Sequence, residues 1–200
     1  MARAARFALA LALTAGPALA DITPPNPDPA AAPAGTYGLD KRHASVVAKV
    51  SHMGMSDYTM RFDRVDAQFA FDPAQPEASK ISVTIDAASL DVGDDKLNRQ
   101  FAREFLGAEA NPQITFVSTA IQRSDATHGV VAGDLTLDGV TRPVSLAVTF
   151  NGYGSSLIGG RRMGFSAAGD IKRSDFGSKA WLSLVGDQVH LIIEAEFTHQ

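Results

Sequence analysis

Five histidines, 22 acidic side chains and no cysteine limit the chemistry this chain can attempt. The histidines are His43, His52, His128, His190 and His199, and none stands in a His-x-x-x-His pair. A zinc or iron site needs imidazoles brought to one point by short, fixed spacings, so no metal is expected. Without thiols, disulfide staples, thiolate sites and cysteine nucleophiles are excluded. Asp94 and Asp95 are adjacent carboxylates, yet they open an amphipathic stretch, where acidic groups favour a helix N-terminus over acid–base work. No Gly-x-Ser-x-Gly elbow, P-loop or dinucleotide fingerprint is present. The chain is therefore expected not to be an enzyme and to need no cofactor. A formal charge of −4 gives no basic surface for nucleic acid.

Some polar residues could still serve binding. His52 shares a strand face with Val50 and Ala48, so it is either a satisfied buried hydrogen-bonder or a contact for the polar end of a ligand. Arg161-Arg162 and Lys172-Arg173 could meet an anionic head group or a membrane surface, although solvated strand ends are the default for such residues. Trp181, among Lys179, Ala180 and Leu182, either rims a mouth or covers a core.

The elements that must position these groups are strands. Leu135 and Leu137 alternate with Asp134 and Thr136, and Val144, Leu146, Val148 and Phe150 alternate with Ser145, Ala147 and Thr149. A period of two on both sides of Asp138-Gly139 is the pattern of a β-hairpin with a tight turn. Pro143 cannot donate to a ladder and belongs at a strand start or edge. The same pattern recurs at Tyr37–Leu39, Val46–His52, Tyr58–Phe62, Ala67–Phe71 after a kink at Asp63–Asp66, Ile81–Ile85, Ile114–Ile121, Arg162–Lys172 and Val189–Phe197. Asp94–Phe105 differs: Leu97, Phe101 and Phe105 fall at i, i+4 and i+8, which predicts one short helix capped by Asp94 or Asp95. Eight or nine strands and one helix, without a βαβ rhythm, predict an antiparallel sandwich or closed barrel.

The N-terminus reads as an export signal. Arg3 and Arg6 precede an apolar run, Phe7–Ala15, that is too short to span a bilayer, and Ala18-Leu19-Ala20 fits a small-x-small cleavage site. Cleavage near Ala20 would take the formal charge from −4 to −6 and leave a soluble periplasmic or secreted domain. Residues 21–35 carry five prolines among Ala, Asn and Asp, and are expected to be a disordered or polyproline-like linker. Ordered structure is expected from Thr36, with the domain spanning 36–200.

Several blocks then carry a family likeness. They are Tyr37-Gly38-Leu39-Asp40 with His43-Ala44-Ser45-Val46, Val50-Ser51-His52-Met53-Gly54, Phe69-Ala70-Phe71-Asp72, Asn111–Thr119, Gly133–Val144, Arg173–Gly177 and Val185–Val189. In this order and spacing the chain resembles the YceI-like family of exported bacterial proteins. The resemblance implies an all-β fold: an antiparallel eight-stranded lipocalin-like barrel with one short α-helix, holding a long isoprenoid or related lipid chain. Two places depart from the family pattern, Lys96–Phe101 before the helix end and Met60 where Gly is common.

Alternation alone describes a filled core as well as a lumen; the resemblance favours the lumen. Its expected lining is Val46, Val50, His52, Tyr58, Phe62, Phe69, Phe71, Phe105, Phe116, Leu135 and Leu137. Each buried CH₂ contributes roughly 0.8 kcal/mol, so a polyprenyl or quinone-like chain needs no polar signature to bind. The expected partner is an isoprenoid or other long-chain amphiphilic lipid, with room for transient membrane contact and a homodimer. Two other readings remain at this point: a stress-related interaction protein with a packed barrel core, and a hydrolase or isomerase acting on a lumenal lipid.

Overall fold

The computed structural model describes residues 24–155 and 160–200. Among them are ten strands: β1 Gly35–His52, β2 Ser56–Phe62, β3 Val65–Phe71, β4 Lys80–Asp86, β5 Leu90–Asp91, β6 Gln113–Arg123, β7 His128–Leu137, β8 Val140–Ser155, β9 Arg161–Lys172 and β10 Val185–His199. One α-helix, α1, spans Asp95–Leu106. Neighbouring strands pair antiparallel in the order β10-β9-β8-β7-β6-β4-β3-β1-β2-β5, and β10 also pairs with β1. That last pairing closes the sheet, so the wall has no free long edge.

The wall has eight staves because β2 and β3 act as one bent strand against β1. Val46 pairs with Phe62 in β2, while Tyr37 pairs with Phe69 in β3. The bend falls at Asp63-Arg64, as the sequence pattern predicts. Ser89 fixes it: its carbonyl accepts from Asp63 N–H at 3.1 Å and its Oγ from Arg64 N–H at 3.1 Å. Below the bend β3 pairs with β4, whereas above it β2 pairs with β5. The gap is filled by the 3₁₀ turn Ala87–Ser89, β5 and α1, which pack on one another. Asp94, not Asp95, is the N-cap, accepting from Lys96 N–H and Leu97 N–H at 2.9 Å each. Asn98 ties the helix to β5, donating to Asp91 Oδ1 and accepting from Val92 N–H.

The β7–β8 hairpin turns at Asp138-Gly139 with φ of 50° and 73°, the two positive values that a type I′ turn requires. Pro143 lies opposite Asp134, in the part of β8 that has no β9 partner, so its missing N–H costs no ladder bond. The Tyr37–Leu39 and Val46–His52 segments form one strand, not two. Residues 40–43 bulge between the pairs Leu39↔Phe197 and Ala44↔Ala195. At this bulge Arg162 bonds Asp40 at 2.9 Å and Glu196 at 2.8 Å, and His43 Nδ1 lies 3.0 Å from Asp40 Oδ2. The hydrogen bond from His43, aided by Arg42 N–H and the Arg162 and Arg42 charges, holds Asp40 at about 2 against its burial.

The linker expectation needs correction. Residues 1–23, with the expected signal peptide, lie outside the described residues, but residues 24–34 are a strap across the lower end of the barrel. Asn26 and Tyr153 exchange both backbone hydrogen bonds at 2.9 Å. Ala32 is 1% exposed and belongs to the core, and Pro33 O accepts from Tyr37 Oη at 2.8 Å. Proline-rich backbone has few donors to satisfy, so it can lie on a surface without a ladder of its own. The receiving strand makes room: a side chain on Gly152, whose φ is +128°, would stand 2.6 Å from Pro25 Cβ.

Candidate ligand-binding site

Inward-facing residues of the staves enclose a cavity of about 500 Å³ in the upper half. Val46, Ala48 and Val50 of β1, Tyr58, Met60 and Phe62 of β2, and Val189, Leu191 and Ile193 of β10 form one side. Ile114 and Phe116 of β6, Leu135 and Leu137 of β7, and Val144 and Leu146 of β8 form the other, with Phe101 and Phe105 of α1 across the top. The volume falls within the range of ~300–1,000 Å³ typical of small-molecule sites, and the walls are almost wholly apolar.

A row of rings crosses the mouth. His52 meets Tyr58 edge-on at 6.1 Å, Tyr58 meets Phe101 at 5.9 Å, and Phe101 meets Phe105 at 5.2 Å. The Arg173 guanidinium ends the row, 5.8 Å from the Phe105 ring. Arg173 is buried and donates to four carbonyls: Nε to Gly186, Nη1 to Ser178 and Ala180, and Nη2 to Val185, at 2.7–3.1 Å. Burial lowers its pKa, opposed by Asp187. Asp187 in turn accepts from Ser174 N–H and Oγ–H, pinning the turn after β9 to β10. Arg173 thus bolts the loop before β10 to the helix. It is neither the solvated strand end nor the free head-group contact that Lys172-Arg173 suggested.

Beyond the bolt the rim is apolar and exposed. Met53 and Met55 of the β1–β2 turn are 53% and 75% exposed, Trp181 is 58% exposed, and Leu182 and Leu184 project beside it. Met53 N–H donates to Leu184 O at 2.7 Å, so the two loops form one surface. Trp181 and Leu184 also line the cavity, which makes Trp181 a rim residue rather than a cover for the core.

Nine of the eleven expected lining residues meet at this upper cavity: Val46, Val50, His52, Tyr58, Phe62, Phe105, Phe116, Leu135 and Leu137. Phe69 and Phe71 do not. They lie in the lower half, beside a second cavity of about 220 Å³ that Phe116 also borders. Among the described residues His52 is the only histidine at the upper cavity, and its ring has no hydrogen-bond partner there. His43, His128 and His190 each pair with an aspartate at 2.9–3.0 Å, and His199 meets Ala34 O. Among the described residues no His, Cys, Asp and Glu side chains gather into a metal-binding group. Sequence reasoning did not name Met60, Phe101, Val189, Leu191 and Ile193 as lining, although their faces were legible, Phe101 from the helical spacing with Leu97 and Phe105 and the others from the strand alternation.

What the apolar walls supply is removal of hydrocarbon surface from water, at roughly 25 cal/mol per Å². A closed antiparallel wall around an apolar lumen, with its mouth under a helix, is the architecture of the small ligand-holding barrels. The chain belongs to the YceI-like family, whose domain model matches residues 37–197. "Protein YceI" of Escherichia coli O6:H1 is 38% identical over 170 residues, covering 84% of this chain and 88% of that protein. The crystal structure of Burkholderia cenocepacia BcnA superposes with a TM-score of 0.71 at 32% identity, covering 79% of this chain and 98% of that one. A polyisoprenoid-binding domain from Saccharophagus degradans, implicated in plant cell wall breakdown, shares the fold with a TM-score of 0.63 at 16% identity, covering 82% and 98%.

Proposed function

We propose that the chain is an exported carrier that holds an isoprenoid lipid, a polyprenyl or quinone-like chain, in the barrel lumen and binds it without catalysis. The observation that carries this reading is the upper cavity, about 500 Å³ of apolar space reached through an apolar mouth. The polyisoprenoid-binding domain of the shared fold supports the ligand class. The basic Arg3 and Arg6, the short apolar run and Ala18-Leu19-Ala20 support export to the periplasm or beyond. The exposed rim of Met53, Met55, Trp181, Leu182 and Leu184 suits transient contact with a bilayer, from which such a chain must be drawn. A two-fold dimer through the same rim is the competing use of that surface.

Native mass spectrometry of residues 21–200 purified from a periplasmic fraction, followed by solvent extraction, tests the reading. A stoichiometric hydrophobic adduct is expected and would identify the lipid. A clean apo mass, unchanged after incubation with quinones and polyprenols, would favour a packed-core protein acting through its surface. Methyl NMR of Met53 and Met55 with phosphatidylglycerol vesicles tests the rim: broadening of both signals is expected, and unchanged signals would count against membrane contact.

A further inference from the structure

The lumen is two compartments meeting at a waist. The upper cavity of about 500 Å³ and the lower one of about 220 Å³ share six wall residues: Val83, Phe116, Leu146, Ile193, Ala195 and Phe197. Two of the bulky ones rest on glycines of the adjacent strand. A methyl group on Gly133 would overlap the Phe116 ring, and one on Gly169 would stand 2.7 Å from Leu146 Cδ2. Gly133 lies two residues from Leu135 on β7, and Gly169 two residues from Ile171 on β9, so both glycines share the inward face. Glycine inside a strand is unfavourable and marks a close approach of another group. Here that group is a side chain laid along the wall instead of across the lumen. On β10 the waist is formed by Ala195, a small residue between Ile193 and Phe197. Below it, Tyr37, Phe69, Phe71, Phe165 and Phe197 pack mostly edge-to-face with centroids 5.0–6.4 Å apart and make a floor.

Resting on the carrier reading, we propose that this waist is a selectivity step. It passes the end of an acyclic hydrocarbon tail into the lower compartment, while the polar end of the ligand stays at the mouth among His52, Gln100 and Glu104. The ligand is thereby a linear chain, not a fused ring system, and the floor bounds its length. From Val189 to Phe197 β10 advances ~27 Å at about 3.4 Å per residue, and a strand tilt of ~40° leaves roughly 20 Å of lumen along the axis.

Two methionines report the two compartments: Met60 lines the upper and Met163 the lower. The experiment is methyl NMR of the ¹³C-methionine-labelled protein, with affinities, using geraniol, farnesol and geranylgeraniol as probes. Geraniol is expected to shift Met60 alone, and geranylgeraniol to shift both. Ala195→Leu blocks the waist, so geranylgeraniol should then shift only Met60, and its affinity relative to geraniol should fall about tenfold, or ~1.4 kcal/mol. Phe116→Ala opens the waist, so Met163 should respond to a shorter probe than in the wild type, which keeps the test alive if Ala195→Leu does not fold. If no probe shifts Met60, the carrier reading itself fails. If Met60 shifts but Met163 never does, or if Met163 responds identically in wild type and variants, the waist inference alone is overturned.

Discussion

The upper and lower halves of the barrel are built from the same alternating strands, yet one is open and the other nearly full. Above the waist the inward residues are largely Val, Leu, Ile and Met, with aromatic rings gathered at the mouth. Below it Tyr37 stacks on Phe69 at 5.3 Å, and Phe69 meets Phe197 at 5.0 Å. Phe69 of β3 also meets Phe165 of β9, three strands away around the wall, at 5.9 Å, so rings of separated strands touch across the lower lumen, whereas the branched aliphatic side chains above leave space between them. The periodicity therefore sets which side chains face inward, and their reach decides whether that inside is space or core.

Three experiments would break or sharpen this contrast. The largest effect should come from Phe69→Ala, which removes the centre of the floor and should cost about 3–5 kcal/mol, against about 2 kcal/mol for Leu135→Ala, whose neighbour is already a cavity. Urea denaturation checks the ranking, and equal costs would mean that the two halves are equally packed. Next is Arg173→Met, which leaves the carbonyls of Ser178, Ala180, Val185 and Gly186 without their donor. A loss of at least about 2 kcal/mol is expected, with amide exchange rising in residues 178–186 while the floor stays protected.

Smallest is Tyr37→Phe, which deletes the hydrogen bond to Pro33 O for about 1 kcal/mol. Burial, with Tyr153 adding to it, pushes the Tyr37 hydroxyl up to about 12 from 10.0. The folded state favours the neutral phenol, so the stability it contributes is full below pH 10.0 and is lost as pH rises through about 12. Alkaline titration of the wild type should loosen the strap and floor before the mouth, and Tyr37→Phe should flatten that limb of the stability profile.

Much of the wall was legible in the sequence. The Asp138-Gly139 turn, the bend after Phe62 and the Asp94 cap each carry a local chemical signal. What local signals miss is height along the barrel axis. Phe69 and Phe62 read alike as inward aromatics, but β3 runs past the waist while β2 stops above it, so only Phe62 reaches the upper cavity. Arg173 was missed for a related reason: a basic residue at a strand end reads as solvated, and its four carbonyl partners come from the loop and the start of β10, five to thirteen residues on. The strap was misread because composition weighs a segment alone. Its signal lay elsewhere, in Gly152 and Gly154 on β8, which leave space for Pro25.

The closing seam joins the first long strand to the last. At the base, Gln200 N–H donates to Thr36 O at 2.9 Å, so the two ends of the domain are tied together. A ring that shuts between such distant segments forms late and slowly, since loop closure must precede its reward. Until β10 arrives, β1 and β9 each present an unpaired edge on which another chain can add. A chain lacking β10 would thus expose two edges able to seed aggregation rather than form a smaller barrel, and whether any lumen exists is decided by the arrival of that one strand.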